Sequence, residues 1–200
     1  MSNASKDLLL IVGVITSLVL LFVLLFFVRH NTYAAIGLAL IILPNILAFV
    51  DNVPFVPASM DVAKRMVDAA GLKPGNIVYD IGCGDGRIVY LAVKDYGVKG
   101  IGIELSPLVY LLARFRQLLW HSGARLRFGN FNRQDFSDAD VVFCYSSDDV
   151  MARLETKLQA ELKTGARVVS YIYRFKNWKE KRAVKSVEGG GDSCIRIYEK

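Results

Sequence analysis

The fold is decided by ten consecutive residues, Val78-Tyr79-Asp80-Ile81-Gly82-Cys83-Gly84-Asp85-Gly86-Arg87. Apolar residues lead into an acid, glycines follow at alternate positions, and a helical pattern begins at Arg87. This order predicts a buried strand, a tight loop and a helix N-terminus. Glycines suit such a loop because they let a ligand approach the backbone and adopt positive φ. The loop N–H groups and the helix dipole favour a negatively charged ligand group. A glycine-rich turn in an unrelated α/β protein is the open alternative.

A second acid supports a ligand site at this loop. Glu104 ends the next predicted strand, which starts at Val98, and it follows Gly86 by 18 residues. In a βαβ unit, an acid at about this distance lies at the tip of the second strand, where it can accept hydrogen bonds from ribose hydroxyls. The spacing therefore predicts a nucleoside-binding carboxylate. A solvated acid at a strand end is the alternative.

The first fifty residues carry the excess of apolar side chains in the chain. Hydrophobic residues make up 53% of the sequence, and the mean hydropathy is +0.33. Residues 8–28 form a run of 21 without a charge, long enough to cross a hydrocarbon core of about 30 Å. A cleaved signal peptide would have a shorter core and a small-residue cleavage site, whereas Arg29-His30-Asn31 follows here. We predict a transmembrane helix over 8–28.

A second apolar stretch, residues 33–50, also lacks charges but contains Gly37, Pro44 and Asn45. It is predicted as a second span, with tilting or folding back at the interface as alternatives. The expected organisation is a membrane anchor over 1–50, a linker and first helix over 51–76, and a catalytic domain over 77–200. Two spans would leave the N-terminus and the catalytic domain on one side.

The residues after the anchor have a modest positive charge, +5 over 51–200. This charge is compatible with an anionic membrane surface. The sequence has no dense basic run and no nucleic-acid recognition module, so we expect no nucleic-acid partner. The three cysteines have no metal-ligand spacing and are predicted to be reduced thiols, with no metal site.

Strand and helix patterns alternate from Ile77 to Tyr173. Helices are predicted to begin after caps at Ser59, Ser106 and Asp148. Segments 183–188 and 194–198, separated by glycines, are typical of an antiparallel hairpin. The predicted fold is therefore an α/β, doubly wound, Rossmann-like sheet of seven strands with a C-terminal hairpin.

These residues resemble a known family. The pattern around Asp80 resembles motif I of class I S-adenosylmethionine (SAM) methyltransferases. Together with Pro54-Phe55-Val56-Pro57, Gly102-Ile103-Glu104-Leu105 and residues 158–170, it is similar to small seven-strand protein lysine methyltransferases. These are the broad-specificity archaeal enzymes and the mitochondrial enzymes that act on an ATP synthase subunit or the adenine nucleotide translocase. The resemblance covers residues 54–178.

The resemblance implies a SAM site and assigns its residues. It implies that Asp80 and the loop hold the amino acid end of SAM, that Glu104 binds the ribose, and that Asn130 and Phe131 meet the adenine. Leu105, next to Glu104, is a further expected cofactor-binding residue. Many class I enzymes have Asp at the position of Asn130. Phe55 would fold over the cofactor, and a stiff linker is the alternative for its segment. The loop residues are Gly82, Cys83, Gly84, Asp85 and Gly86.

Tyr145 and Ser146 are the candidate catalytic residues. Tyr145 is the last residue of the predicted central strand, 139–145, and Ser146 follows it. This strand end lies beside the switch point where ligands bind in doubly wound sheets. We expect Tyr145 to line a lysine channel and Ser146 to provide a polar contact, with a purely structural Tyr145 as the alternative. Methyl transfer from a sulfonium needs chiefly alignment and exclusion of water, so no general base is required.

The function predicted from the sequence is a membrane-anchored, SAM-dependent protein-lysine methyltransferase. Lys64 and Arg65, close behind the second apolar stretch, and the cytosolic supply of SAM favour a cytoplasmic catalytic domain, although Arg29 argues weakly against it. The expected partners are the lipid bilayer and a protein substrate, with integral membrane proteins among the candidates. The alternatives are a methyltransferase for a membrane-dissolved quinone or lipid, and a SAM-binding module without turnover.

Overall fold

A computed structural model of the chain describes residues 17–27, 29, 31–34, 36–40, 42, 57–185 and 193–200. The chain divides into two compact units, Met1–Pro44 and Asn45–Lys200. The first contains helices α1 (Ser17–Phe27) and α2 (Thr32–Leu40), which form a pair bent by 120°. Within the described ranges, neither helix alone is long and apolar enough to cross a membrane, whereas the bent pair together meets that length and composition. Large parts of the predicted spans 8–28 and 33–50 lie outside the described residues.

The second unit contains a seven-stranded mixed sheet with helices between its strands. Its helices are α3 (Met60–Ala69), α4 (Arg87–Tyr96), α5 (Pro107–Leu119) and α6 (Asp148–Glu161). Its strands are β1 (Ile77–Ile81), β2 (Lys99–Glu104), β3 (Arg125–Phe128), β4 (Val141–Cys144), β5 (Arg167–Tyr171), β6 (Arg182–Lys185) and β7 (Cys194–Glu199). The strand order is β3-β2-β1-β4-β5-β7-β6. The predicted doubly wound sheet with a terminal antiparallel β6–β7 pair is confirmed.

Two apolar cores lie on opposite faces of the sheet because side chains alternate along each strand. Val141 and Phe143 of β4 belong to the core that includes α3 and α4. Val142 and Cys144 belong to the core that includes α6. Such burial on both faces is typical of parallel strands covered by helices, and it explains why β1 and β4 have nearly continuous apolar sequences.

Local capping signals define two of the helix starts as predicted. The Ser59 hydroxyl accepts a hydrogen bond from the Val62 N–H at 3.1 Å, and Ser106 accepts one from the Val109 N–H at 3.4 Å. The prediction that Asp148 caps α6 was wrong, because Ser147 has the extended cap conformation and Asp148 is the first helical residue. Carboxylates in a first turn are favoured by the helix dipole.

Gly100 of β2 allows α4 to pack closely on the sheet. A Cβ atom at this position would lie 2.5 Å from Val89 Cγ2 and 2.6 Å from Val93 Cγ2. We expect Gly100→Ala to lower the free energy of unfolding by about 1–3 kcal/mol, because α4 must shift outward. Denaturant unfolding measures this loss. The matched control is Gly123→Ala, whose new Cβ would meet only Val93 Cγ1 at 3.6 Å; an equal loss in both variants would contradict the packing argument.

Candidate active site

The glycine loop between β1 and α4 is held in a conformation that only glycine adopts easily. Gly82, Gly84 and Gly86 have φ values of 70°, 58° and 81°, in the left-handed region that favours glycine. The N–H groups of Gly82 and Cys83 donate to the Ile103 carbonyl oxygen at 2.9 and 3.0 Å. The loop is therefore tied to the end of β2.

The loop differs from the sequence-based expectation in its electrostatics. The sequence predicts free N–H groups that would bind an anion, but the N–H groups of Gly82, Cys83, Gly84 and Gly86 all donate within the chain. Three carboxyl groups, those of Asp80, Asp85 and Glu104, are close enough to interact at this site. Because the donors are used and acids surround the loop, the site favours a ligand with a positive charge.

Asp80, at the end of β1, is the most perturbed of these acids. Its side chain is buried, and within the described part of the chain its Oδ2 atom has no hydrogen-bond partner. Burial, followed by the negative charges of Glu104 and Asp85, raises the pKa of its carboxyl from the ordinary value to about 8. A buried carboxylate oxygen without a partner is costly, so this atom is well suited to receive a cationic ligand group.

The carboxylate of Glu104 links the glycine loop to the segment that precedes α5. Its Oε2 accepts a hydrogen bond from the Gly84 N–H at 3.0 Å, and its Oε1 accepts one from the Ser106 N–H at 2.8 Å. Burial raises the pKa of Glu104, although these backbone hydrogen bonds oppose the shift. Glu104 thus positions the glycine loop and the start of α5, a role that its place at the strand end did not predict. Leu105, which follows it, is half-buried.

The carboxylate of Asp85 is paired with two guanidinium groups. Its carboxylate forms ion pairs with Arg87 and Arg116, and its side chain is buried. Its side chain therefore supports the loop, and its backbone is the part left to meet a ligand. Next to it, Gln117 of α5 donates to the Gly86 carbonyl oxygen at 3.3 Å. The sequence analysis missed Arg116 and Gln117 because a contact across 31 residues leaves no local pattern.

Cys83 is a packing residue of the loop. It is buried, and burial, together with nearby acids, raises the pKa of its thiol well above the ordinary value. Gly102 leaves the room for it, since a Cβ at Gly102 would lie 2.8 Å from Cys83 Sγ. The described residues include no group of histidine, cysteine and acidic side chains that could hold a metal ion.

The predicted adenine residues lie beside the end of β2. The Gly129 N–H donates to the Glu104 carbonyl oxygen at 2.9 Å, which brings Asn130 near Glu104. Asn130 begins a short 3-10 turn, and its Oδ1 accepts from the Asn132 N–H at 2.9 Å. Phe131 is half-buried and packs against the core of the α6 face. Phe55, the predicted covering residue, lies outside the described residues.

Tyr145 belongs to a cluster of three tyrosines at the ends of β4 and β5. Its ring centroid lies 5.1 Å from that of Tyr171 and 6.2 Å from that of Tyr173. Burial, followed by the other two phenols, raises the pKa of Tyr145, so its hydroxyl is neutral near pH 7. The adjacent Ser146 is buried, and its hydroxyl lacks a partner among the residues described.

Sequence reasoning missed Tyr171 and Tyr173 as neighbours of Tyr145. Strand five was predicted to continue to Tyr173, but β5 ends at Tyr171. The reason is Ile172, which has a φ of 64°, an unusual conformation for a β-branched residue. A hydrogen bond of 2.8 Å from the Tyr173 N–H to the Tyr171 carbonyl oxygen closes the turn. This turn places both tyrosine rings near Tyr145.

Strand register brings this cluster beside the glycine loop. Ile81 pairs with Cys144, and Cys144 pairs with Ser170. Gly82, Tyr145 and Tyr171 therefore follow one another across three neighbouring strand ends. A family profile described as the ANTKMT methyltransferase domain matches residues 80–182, which contain all of these ends.

The chain belongs to the ANTKMT methyltransferase family. This ANTKMT-type domain is 36% identical over 155 residues to a protein-lysine N-methyltransferase of Saccharolobus islandicus strain REY15A, covering 76% of this chain and 96% of the relative. It is 35% identical over 154 residues to the adenine nucleotide translocase lysine N-methyltransferase of Mus musculus, covering 74% of this chain and 63% of the relative. The chain thus spans somewhat less than two thirds of the mouse relative's length. The protein is a SAM-dependent methyltransferase of the protein-lysine class.

A solved structure supports both the ANTKMT-type fold and its cofactor. An RNA methyltransferase from Salinibacter ruber, crystallised with S-adenosyl-L-homocysteine, is 31% identical, with a TM-score of 0.67. The alignment covers 72% of this chain and 93% of that protein. The site described here fits SAM, because Asp80 offers a buried oxygen without a partner in the described chain and three glycines keep the loop clear of side chains.

Proposed function

We propose that this protein is a membrane-anchored methyltransferase that uses SAM to methylate lysine side chains of proteins at the bilayer. The observation that carries the proposal is the buried Asp80 oxygen, unpartnered within the described residues, beside the glycine loop and one strand away from the tyrosine cluster. SAM supplies an electrophilic methyl group on a positively charged sulfur. The acids at the loop suit its positive charges, and the adjoining tyrosines suit an aliphatic amine.

The lysine nucleophile must lose a proton before it can attack, since its ordinary pKa is near 10.4. An apolar, aromatic surrounding disfavours the ammonium form and lowers that pKa. Tyr145, Tyr171 and Tyr173 provide such a surrounding at the ends of β4 and β5. Bulk water can take the proton, so the residues of this site need only align the amine and exclude water.

Membrane anchoring rests on the apolar segments 8–28 and 33–50. The bent pair of α1 and α2 has the length and composition of a span. An anchored enzyme meets membrane proteins at a high effective concentration. Together with the mouse relative named for the adenine nucleotide translocase, this favours an integral membrane protein as the substrate. The catalytic domain lies on the cytoplasmic side in this proposal, where SAM is supplied.

The test is transfer of a radiolabelled methyl group from SAM with the full chain in membranes that lack the endogenous protein. We expect the label in protein, and on lysine after hydrolysis. Asp80→Asn should abolish the transfer. Label in the organic extract would replace the proposal with a quinone or lipid methyltransferase, and label in RNA would replace it with an RNA methyltransferase. SAM binding without any labelled product would indicate a binding module.

Substitutions of Tyr145 test the lysine channel. We expect Tyr145→Ala to reduce kcat/KM for protein substrate by about 10-fold to 100-fold, because the amine loses an apolar wall that aligns it. Tyr145→Phe should keep most activity, since the ring and not the hydroxyl carries this role. SAM affinity, measured by calorimetry, should change little in both variants. Equal activity of Tyr145→Ala and the unaltered protein would leave Tyr145 as a core residue only.

A further inference from the structure

Helix α5 exposes a row of large apolar side chains. Leu111, Phe115, Leu118 and Leu119 are each 60–71% exposed. Their spacing puts them on one side of the helix, as i, i+4, i+7 and i+8. Phe128 of β3 is also exposed, and its ring lies 5.6 Å from that of Tyr110 on α5. Contiguous exposed apolar residues of this kind mark an interaction surface. We call Leu111, Leu112, Phe115, Leu118, Leu119 and Phe128 the α5 face.

The rotation of α5 about its axis is fixed by polar contacts on its inner side. Arg116 pairs with Asp85, and the buried Gln117 donates to the Gly86 carbonyl oxygen at 3.3 Å. Ala113 is fully buried between these contacts and the start of the helix. The helix thus turns polar residues toward the domain and leucines outward, the reverse of an ordinary surface helix. Turning the leucines inward would break the contacts that hold the glycine loop.

The positive charge near the α5 face favours an anionic partner. Residues 105–134 contain five arginines and no acidic residue. Of these, Arg114, Arg125, Arg127 and Arg133 are exposed. Arg114 borders the α5 face, since it lies three residues after Leu111 and four before Leu118. Apolar side chains combined with flanking cations are typical of helices that lie in the membrane interface and of segments that bind anionic lipids. A second copy of the chain would bring arginine against arginine across the contact, so self-association is disfavoured.

We infer that the α5 face docks on the surface of a bilayer that contains anionic lipids. The leucines and Phe115 enter the headgroup–acyl boundary, and Arg114 contacts lipid phosphates and carboxylates. This surface lies in the catalytic unit and is distinct from the apolar segments 8–28 and 33–50. The inference depends neither on methyl transfer nor on the proposed anchor.

The experiment places an environment-sensitive fluorophore on the α5 face of the full chain. Leu118→Cys carries the probe, and Thr156→Cys is the matched control, because Thr156 is an exposed residue of α6, whose core lies on the other face of the sheet. Both proteins are reconstituted in phosphatidylcholine vesicles with and without phosphatidylserine. Labelled protein without either substitution gives the background of the native cysteines.

We expect the Leu118→Cys probe to shift to the blue and to be quenched several-fold more than the control by brominated lipid in phosphatidylserine vesicles. Arg114→Gln should weaken this quenching. The same water-exposed emission, without lipid quenching, at both positions would overturn the inference. So would a blue shift without quenching by brominated lipid, which would mean that protein covers the face, or quenching that is independent of phosphatidylserine and of Arg114.

Discussion

Asp80→Asn is expected to abolish measurable SAM binding and, at the same time, to stabilise the ligand-free protein. The buried Asp80 oxygen has no partner in the described chain, and the acids Glu104 and Asp85 repel its charge. Asparagine removes that charge with little change in volume. We expect a gain on the order of a few kcal/mol in the free energy of unfolding near pH 8, because a buried uncompensated charge is lost. Thermal unfolding and calorimetry measure the two effects.

The matched control for Asp80 is Asp140→Asn. Burial disfavours the Asp140 charge, but Lys163 and the Ile77 N–H outweigh this and lower the pKa of its carboxyl. Its Oδ2 accepts from the Ile77 N–H at 2.7 Å. The control should therefore destabilise the protein and leave SAM affinity nearly unchanged. If Asp80→Asn destabilised the protein as Asp140→Asn does, the description of Asp80 as an uncompensated charge would be wrong.

The Asp80 carboxyl also makes stability and SAM affinity depend on pH, in opposite directions. The pKa of Asp80 is about 8 in the ligand-free fold, above its ordinary value of 3.8. Between these values the folded state holds a proton that the unfolded state has lost, so this group makes stability fall as the pH rises from about 4 to 8. SAM affinity should change the opposite way and increase up to about pH 8, because the cation prefers the ionised carboxylate. Asp80→Asn should remove the pH dependence of stability that comes from this group.

Glu104→Gln is expected to weaken SAM binding by about 10-fold to 100-fold or more. The two oxygens of Glu104 accept hydrogen bonds from the Gly84 and Ser106 N–H groups. The single carbonyl oxygen of a glutamine amide can accept from only one of these two N–H groups, and its NH2 group then faces the other. The unmade hydrogen bond costs about 1–3 kcal/mol of free energy. The glycine loop loses its tie to β2, and the nucleoside loses an acceptor. Isothermal calorimetry with SAM measures the effect.

Glu155→Gln separates this loss from simple damage to the fold. Glu155 is also buried, and its carboxylate accepts from the Lys176 and Asn177 N–H groups at 3.0 and 2.7 Å. It belongs to α6, away from the glycine loop. Both substitutions should lower the unfolding temperature to a similar extent, but only Glu104→Gln should weaken SAM binding. An equal loss of affinity in the two variants would reduce Glu104 to a general stability residue.

Local signals predicted the fold well. The Ser59 and Ser106 caps, the glycines before α4 and the apolar strands depend on neighbours within a few residues, which a sequence displays directly. Contacts between distant segments had no such signal. Arg116 and Gln117 contact the glycine loop and so decide which face α5 buries. The Ser106 cap therefore predicted where the helix starts but not that its leucines face outward.

The sequence predicted where the acids of the candidate site lie. It did not predict that the site would favour a positively charged ligand group. Asp80 and Glu104 stand at strand ends, where topology alone brings them together. The use of the loop N–H groups by the Ile103 carbonyl and by Glu104 depends on three-dimensional closure. The turn at Ile172, which gathers the tyrosines, runs against the β preference of an isoleucine, so the sequence predicts a strand there.

The two outermost strands of the sheet have a consequence for behaviour in concentrated solution. Open sheet edges can recruit strands from other molecules and start aggregation. Here β3 carries Arg125 and Arg127, and β6 carries Arg182 and Lys185. Two molecules that approach edge to edge would set positive charge against positive charge. Concentrated preparations should therefore stay dispersed at low ionic strength and begin to cluster when salt screens this repulsion.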